Sequence, residues 1–139
     1  MADAMTITTE MRYDGNQTES FFEGHPAIML DGLTGVAENS DVWSPPHLFV
    51  AAVESCFFLT MQSVASRMKV KIASYSSTAE AELVTPDGKH TEIQEIVLRP
   101  EIELADATDR AKIPQLVKLA EEYCLVARSL KGKVRIESV

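Results

Sequence analysis

The chain is poor in the residues that most chemistry needs. Its 139 residues include two cysteines, three histidines and one tryptophan. Two cysteines cannot complete a four-thiolate zinc site, and the histidines stand singly with no ligand spacing, so no metal is expected. There is no glycine-rich phosphate loop and no serine-centred nucleophile motif, and nothing else calls for a cofactor. Basic residues are scarce as well: 13 Lys and Arg face 21 Asp and Glu, a net charge of −8. That balance argues against nucleic acid and against an anionic membrane surface, both of which need clustered cations. The N-terminus lacks a basic region followed by an apolar run, so the expected compartment is the cytoplasm, where thiols stay reduced. Long apolar runs are limited to residues 48–68, and Glu54, Gln62, Ser63 and Arg67 interrupt that one. It reads as a core helix, not a membrane span.

What is present suits one globular domain, residues 1–139, with 45% apolar and 24% charged side chains. The segment 5–13 reads as a strand closed by the turn signal Asp14-Gly15-Asn16. Short strands are expected at 19–23 and 27–30, then a loop over 31–43. Ser44-Pro45-Pro46 is a helix start: a capping hydroxyl, then proline where a missing N–H costs nothing. The helix that follows is apolar nearly all round, which places it at a domain centre or an obligate interface. Residues 70–84 and 92–104 read as a long hairpin around Thr85-Pro86-Asp87-Gly88-Lys89, bent at Arg99-Pro100. Ile113, Leu116, Val117, Ala120, Cys124 and Ala127 have the spacing of a second helix, ended by Gly132 in a left-handed cap. A closing strand begins at Val134. The order β-β-β-α-β-β-α-β is an α+β pattern.

The cysteines are the candidates for covalent or redox chemistry. Cys56 lies about three turns into the central helix, beyond the reach of the helix dipole. Apolar surroundings would raise its pKa, so a reactive Cys56 needs a cation or hydrogen-bond donor from elsewhere, with Arg12 and Arg128 as candidates. Cys124 has Arg128 four residues on, hence on the same helical face. The bland alternative is that both are small buried hydrophobes. Glu54 lies about 200° round the helix from Cys56 and needs its own partner if buried. His47 could move protons, but a polar surface role at the helix start suits it better. His25 and His90 sit in turns.

The segment Ser44-Pro45-Pro46-His47-Leu48-Phe49-Val50-Ala51-Ala52-Val53-Glu54-Ser55-Cys56-Phe57 resembles the helix that carries the peroxidatic cysteine in the OsmC/Ohr family. Ala120-Glu121-Glu122-Tyr123-Cys124-Leu125-Val126-Ala127-Arg128-Ser129-Leu130 resembles the segment with the resolving cysteine. Two features differ from the family pattern. Pro46 stands where an arginine-orienting glutamate is usual, with Glu54, Glu38 or Asp41 as substitutes, and Leu125 stands where proline is usual. The resemblance implies an OsmC-like fold and an intertwined homodimer, with central helices wrapped by antiparallel sheets. It implies a peroxidase for organic hydroperoxides in which Cys56 attacks, Cys124 resolves, and Arg12 or Arg128 stabilises the thiolate. Phe49, Phe57, Phe58 and Met61 would form the apolar substrate pocket. A dithiol reductant, a lipoylated protein in some family members, would reset the pair. The alternatives are a non-catalytic dimer that binds a small apolar ligand, and a thiol redox sensor.

Overall fold

A computed structural model describes residues 4–30 and 42–137. The chain forms two compact units, Met1–Phe49 and Val50–Val139. The first holds strands β1 (Glu10–Tyr13), β2 (Thr18–Phe21) and β3 (Ile28–Leu30) as an antiparallel meander. The predicted first strand is shorter than expected, because residues 4–9 form no ladder. The turn after β1 follows the sequence signal. Gly15 takes φ +94°, and Asp14 Oδ1 accepts the N–H groups of Asn16 and Gln17 at 2.9 and 2.8 Å. Most of the expected loop over 31–43 lies outside the described residues, as do Glu38 and Asp41. Trp43 makes an isolated bridge with Leu30.

Helix α1 (Pro45–Arg67) begins at the capping signal and continues into the second unit. Val53, Phe57, Met61, Val64 and Ala65 are its buried residues. Each full burial of such a side chain contributes roughly 1.5–3 kcal/mol. The helix ends with Lys69 at φ 59° and Val70 N–H bonded to Ala65 O at 2.8 Å. Among the described residues α1 is the one helix long and apolar enough to cross a membrane by length and composition.

The second unit has a three-stranded sheet in the order β4 (Ile72–Val84), β5 (Glu92–Leu104), β6 (Lys133–Ile136). The β4–β5 hairpin forms as expected, but the bend expected at Arg99-Pro100 does not. Pairing runs unbroken through Thr78↔Arg99 and Ser77↔Pro100, and the irregularities fall near Ser74 and Leu83. Proline is tolerated there because β6 pairs only with Glu95 to Leu98, leaving β5 with one neighbouring strand at Pro100. In β5 the consecutive residues Ile96, Val97 and Leu98 are all buried, as befits a central strand.

A 3-10 helix (Ala107–Lys112), capped by Asp106, leads into α2 (Ile113–Tyr123). A short α3 (Leu125–Arg128) follows. This crossover returns the chain parallel to β5, so the second sheet is mixed and not antiparallel as expected. Gly132 has no left-handed φ and caps no helix. A Cβ there would lie 2.7 Å from Ile93 O, so glycine serves the close approach of β6 to β5. The observed order is the predicted one, with the second helix divided at Cys124.

Candidate functional site

Ser44 opens α1 and is fully buried. Its hydroxyl lies 2.6 Å from His47 Nδ1 and accepts the His47 N–H at 3.4 Å. His47 therefore belongs to the helix cap. Val53 and Phe57, four apart, face the core. Cys56, Leu59 and Thr60 face another side, where an open groove of about 850 Å³ runs along the helix. Cys56 is half-buried at its wall, with Thr60 Oγ1 at 4.0 Å from its sulfur. Leu119, Tyr123 and Val126 supply the opposite wall, and Arg67 stands at the far end.

Cys124 exposes no surface. It does not continue α2. Its backbone is extended, with φ −66° and ψ 107°, and it is the residue between α2 and α3. Its sulfur interacts with that of Cys56, and the two thiols depart from their ordinary pKa in opposite directions. Burial pushes Cys56 up. The backbone N–H of Val126, the Cys124 thiol, the Thr60 hydroxyl and the backbone N–H of Leu125 outweigh it and hold Cys56 below its usual value. Burial also pushes Cys124 up, and the Cys56 thiolate beside it adds to the rise against the Ala127 N–H. The pair therefore ionises at Cys56 first, with Cys124 donating its S–H. Chemically, this arrangement makes Cys56 the more readily ionised thiol, with the second thiol beside it.

The structure distributes the remaining sequence-predicted residues differently. Arg128 lies one turn beyond Cys124, with its N–H bonded to Cys124 O at 3.0 Å and Nη1 donating to Glu122 O at 3.3 Å. It lines a second, smaller cleft of about 190 Å³, together with Cys124, Glu121, Val53, Phe57 and Val134. It does not line the groove at Cys56. Arg12, in the first unit, bonds Glu19 Oε1 through Nε at 3.0 Å and Nη2 at 2.8 Å, and its guanidinium lies 4.9 Å from the Phe21 ring centre. Phe57 and Met61 are core residues and take no part in the wall beside Cys56. Phe58 packs on Tyr75 with ring centres 4.3 Å apart. Phe49, in the first unit, is exposed. Glu54 finds the partner its position demands, accepting from Ser77 Oγ at 2.5 Å on the side away from Cys56.

Sequence reasoning missed Thr60, Tyr123, Leu59, Arg67 and the amides at the start of α3. Thr60 was within reach, because it follows Cys56 by four residues on a helix. The amides carry no side-chain signal. Among the described residues no cluster of three His, Cys, Asp or Glu side chains could hold a metal ion.

Residues 38–139 match the family model described as OsmC-like protein. No protein in a curated set matches the chain. Solved structures do. An OsmC-like protein of unknown function from Vibrio cholerae superposes with a TM-score of 0.85 at 21% identity, covering 97% of this chain and 100% of that one. An organic hydroperoxide resistance protein OsmC from Legionella pneumophila gives 0.72 at 22% identity, covering 98% and 96%. The organic hydroperoxide resistance protein OhrB of Bacillus subtilis gives 0.66 at 21% identity, covering 96% and 97%. At these identities the likeness establishes the fold.

Proposed function

The chain belongs to the OsmC-like protein family, and on that premise we propose that it is a thiol peroxidase that reduces organic hydroperoxides. One observation carries the reading: a half-buried Cys56 beside a buried Cys124, with amide and hydroxyl donors that favour ionisation at Cys56. Thiolate is the species that attacks an O–O bond. Cys56 takes the terminal oxygen, releases the alcohol and becomes a sulfenic acid. The Cys124 thiol condenses with it, water leaves, and a disulfide forms before further oxidation. A dithiol returns both cysteines to the reduced state. The apolar groove along Cys56 favours alkyl and aryl hydroperoxides over hydrogen peroxide. Its volume lies in the range of small-molecule sites, roughly 300–1,000 Å³. In this reading residues 1–139 act as one domain in the cytoplasm, where dithiol reductants are at hand.

The reading includes a homodimer. Leu59 and Tyr123 beside the groove are each 60% exposed, and Leu125 is 71% exposed. Such a patch, shared by α1, α2 and α3, calls for a partner surface, and a second copy supplies it.

Intact mass after one equivalent of cumene hydroperoxide is the direct test. The expected product is lighter by about two mass units, with no added oxygen, as the disulfide on the oxidation ladder requires. Cys56→Ser should abolish turnover with a dithiol, and Cys124→Ser should allow one oxidation that then runs on beyond the sulfenic acid. Unchanged turnover by Cys56→Ser would refute the proposal.

A further inference from the structure

The groove beside Cys56 has a charge pattern that the proposed reaction leaves unused. Of the residues that line it, Arg67 is the one charged side chain. In a chain with 21 Asp and Glu against 13 Lys and Arg, a positive charge is the less expected sign there. Arg67 pairs with no carboxylate among the described residues, whereas Arg12, Arg99 and Arg135 each hold at least one. We propose that the groove takes an amphiphilic organic anion, with its carboxylate on Arg67 and its alkyl chain lying along α1 toward Cys56. The proposal names a substrate class for the site and rests on the peroxidase reading for the reaction, not for the binding.

Spacing gives the first reason. Cys56, Thr60, Ser63 and Arg67 follow one another at steps of four, three and four, so they lie on one side of the helix. All four line the groove. Arg67 is eleven residues beyond Cys56, a rise of about 16 Å along the axis. An extended alkyl chain covers that span in roughly a dozen C–C bonds of about 1.5 Å. The walls give the second reason. Between the two ends lie Leu59 and Val64 of α1, Leu119 of α2 and Val126 of α3, surroundings that suit methylene groups. The rim at Leu59 and Tyr123 stays available to the second copy, which then roofs the bound chain.

The third reason is the number of charges. One guanidinium matches one carboxylate, which it holds through two parallel N–H donors. A phosphate monoester carries more charge than this single cation offsets. Arg67 also sits in the last turn of α1, where any cation suits the helix dipole. The dipole does not require that cation to line the groove, and the ligand does.

The probes are dodecanoate and dodecanol, which differ only in the head group. Titration calorimetry of the reduced protein should show dodecanoate binding about fivefold more tightly, the scale of one partly exposed ion pair. Added salt should erode that preference. Arg67→Gln should remove it, and Arg67→Lys should keep part of it, because the charge remains. Arg67 is exposed, so neither change threatens the fold. Saturating dodecanoate should also slow alkylation of Cys56 by iodoacetamide, since the chain ends there. Equal binding of the two probes, or an unprotected Cys56, would overturn the proposal. So would a preference that survives Arg67→Gln; if sedimentation then shows a weakened dimer, the guanidinium serves the second copy.

The same comparison extends to turnover with a dithiol, using ω-hydroperoxydodecanoate against dodecyl hydroperoxide. The anionic substrate should have a KM about fivefold lower, and Arg67→Gln should close the gap. A protein that binds dodecanoate but reduces neither hydroperoxide loses the proposed function and keeps this ligand. A protein that reduces both with equal KM keeps the function and loses the ligand, so the two failures are distinguishable.

Discussion

Cys56 and Cys124 start from the same side chain, and burial pushes both thiols upward. Donors separate them. Cys56 receives two backbone N–H groups, a hydroxyl and the other thiol, while Cys124 is left beside the charge that results. A group whose pKa falls on folding adds stability above its unfolded pKa, and that contribution fades as pH drops through the folded value. The same sign governs reactivity. Iodoacetamide should modify Cys56 with a midpoint below the free-thiol value of about 8.5, and Cys124 should resist up to higher pH. A midpoint for Cys56 at or above the free value would favour the ligand-binding reading over the peroxidase. Leu125 sharpens this expectation. Proline, usual at that position in the resembling segment, has no N–H to give. Leu125→Pro should therefore move the Cys56 midpoint upward without unfolding the protein, because the site is the first position of α3 and the preceding Cys124 is already extended. An unmoved midpoint would show that the amide is idle.

At the level of elements, two contacts decide how the second unit holds together. Glu54 is a carboxylate on an otherwise apolar stretch of α1, and Ser77 of β4 donates to it. Ser77→Ala should cost roughly 1–3 kcal/mol in urea unfolding, the penalty for stripping a charged group of its donor. The neighbouring Tyr75 hydroxyl is buried, makes no hydrogen bond of good geometry and interacts only with the Ser77 hydroxyl, so Tyr75→Phe should cost less than Ser77→Ala. Equal losses in the two variants would contradict this division. Gly132 is the second contact. Gly132→Ala forces a Cβ toward Ile93 O at 2.7 Å, and thermal unfolding should register a loss of about 1–3 kcal/mol. An unchanged melting point would mean that β6 moves away freely. These elements were unequally legible. The capping serine, the hairpin turn at Asp87-Gly88 and the 3-and-4 spacing of α2 are local signals; the first two elements formed where their signals stood, and the helix formed from Ile113 but broke at Cys124. The role of Gly132 depends on a strand about forty residues away, so only the folded register reveals it. The bend expected at Pro100 failed for the same reason: whether a proline breaks a ladder depends on which neighbours that ladder has.

For the molecule as a whole, the sequence showed two cysteine segments in a recognisable order but not the route by which the fold sets the two side chains near each other. Nor did it show that Phe57 and Met61 serve the core while Leu59, Thr60 and Tyr123 line the groove, because an all-apolar helix gives no sign of which side faces inward. The side left uncovered leads to a prediction at this scale. Sedimentation equilibrium should give twice the chain mass, and Leu59→Glu should shift the population toward monomer by placing a charge in the patch. A monomer at micromolar concentration in the unaltered protein would count against the paired assembly. The interruption at Cys124 has a consequence for how long the protein can keep working. A joint that is already bent can swing its sulfur across and back by turning a few torsions, with no coil to unwind and wind again. On the proposed peroxidase reading, each cycle then asks for side-chain and joint rotation only and for no rebuilding of a helix.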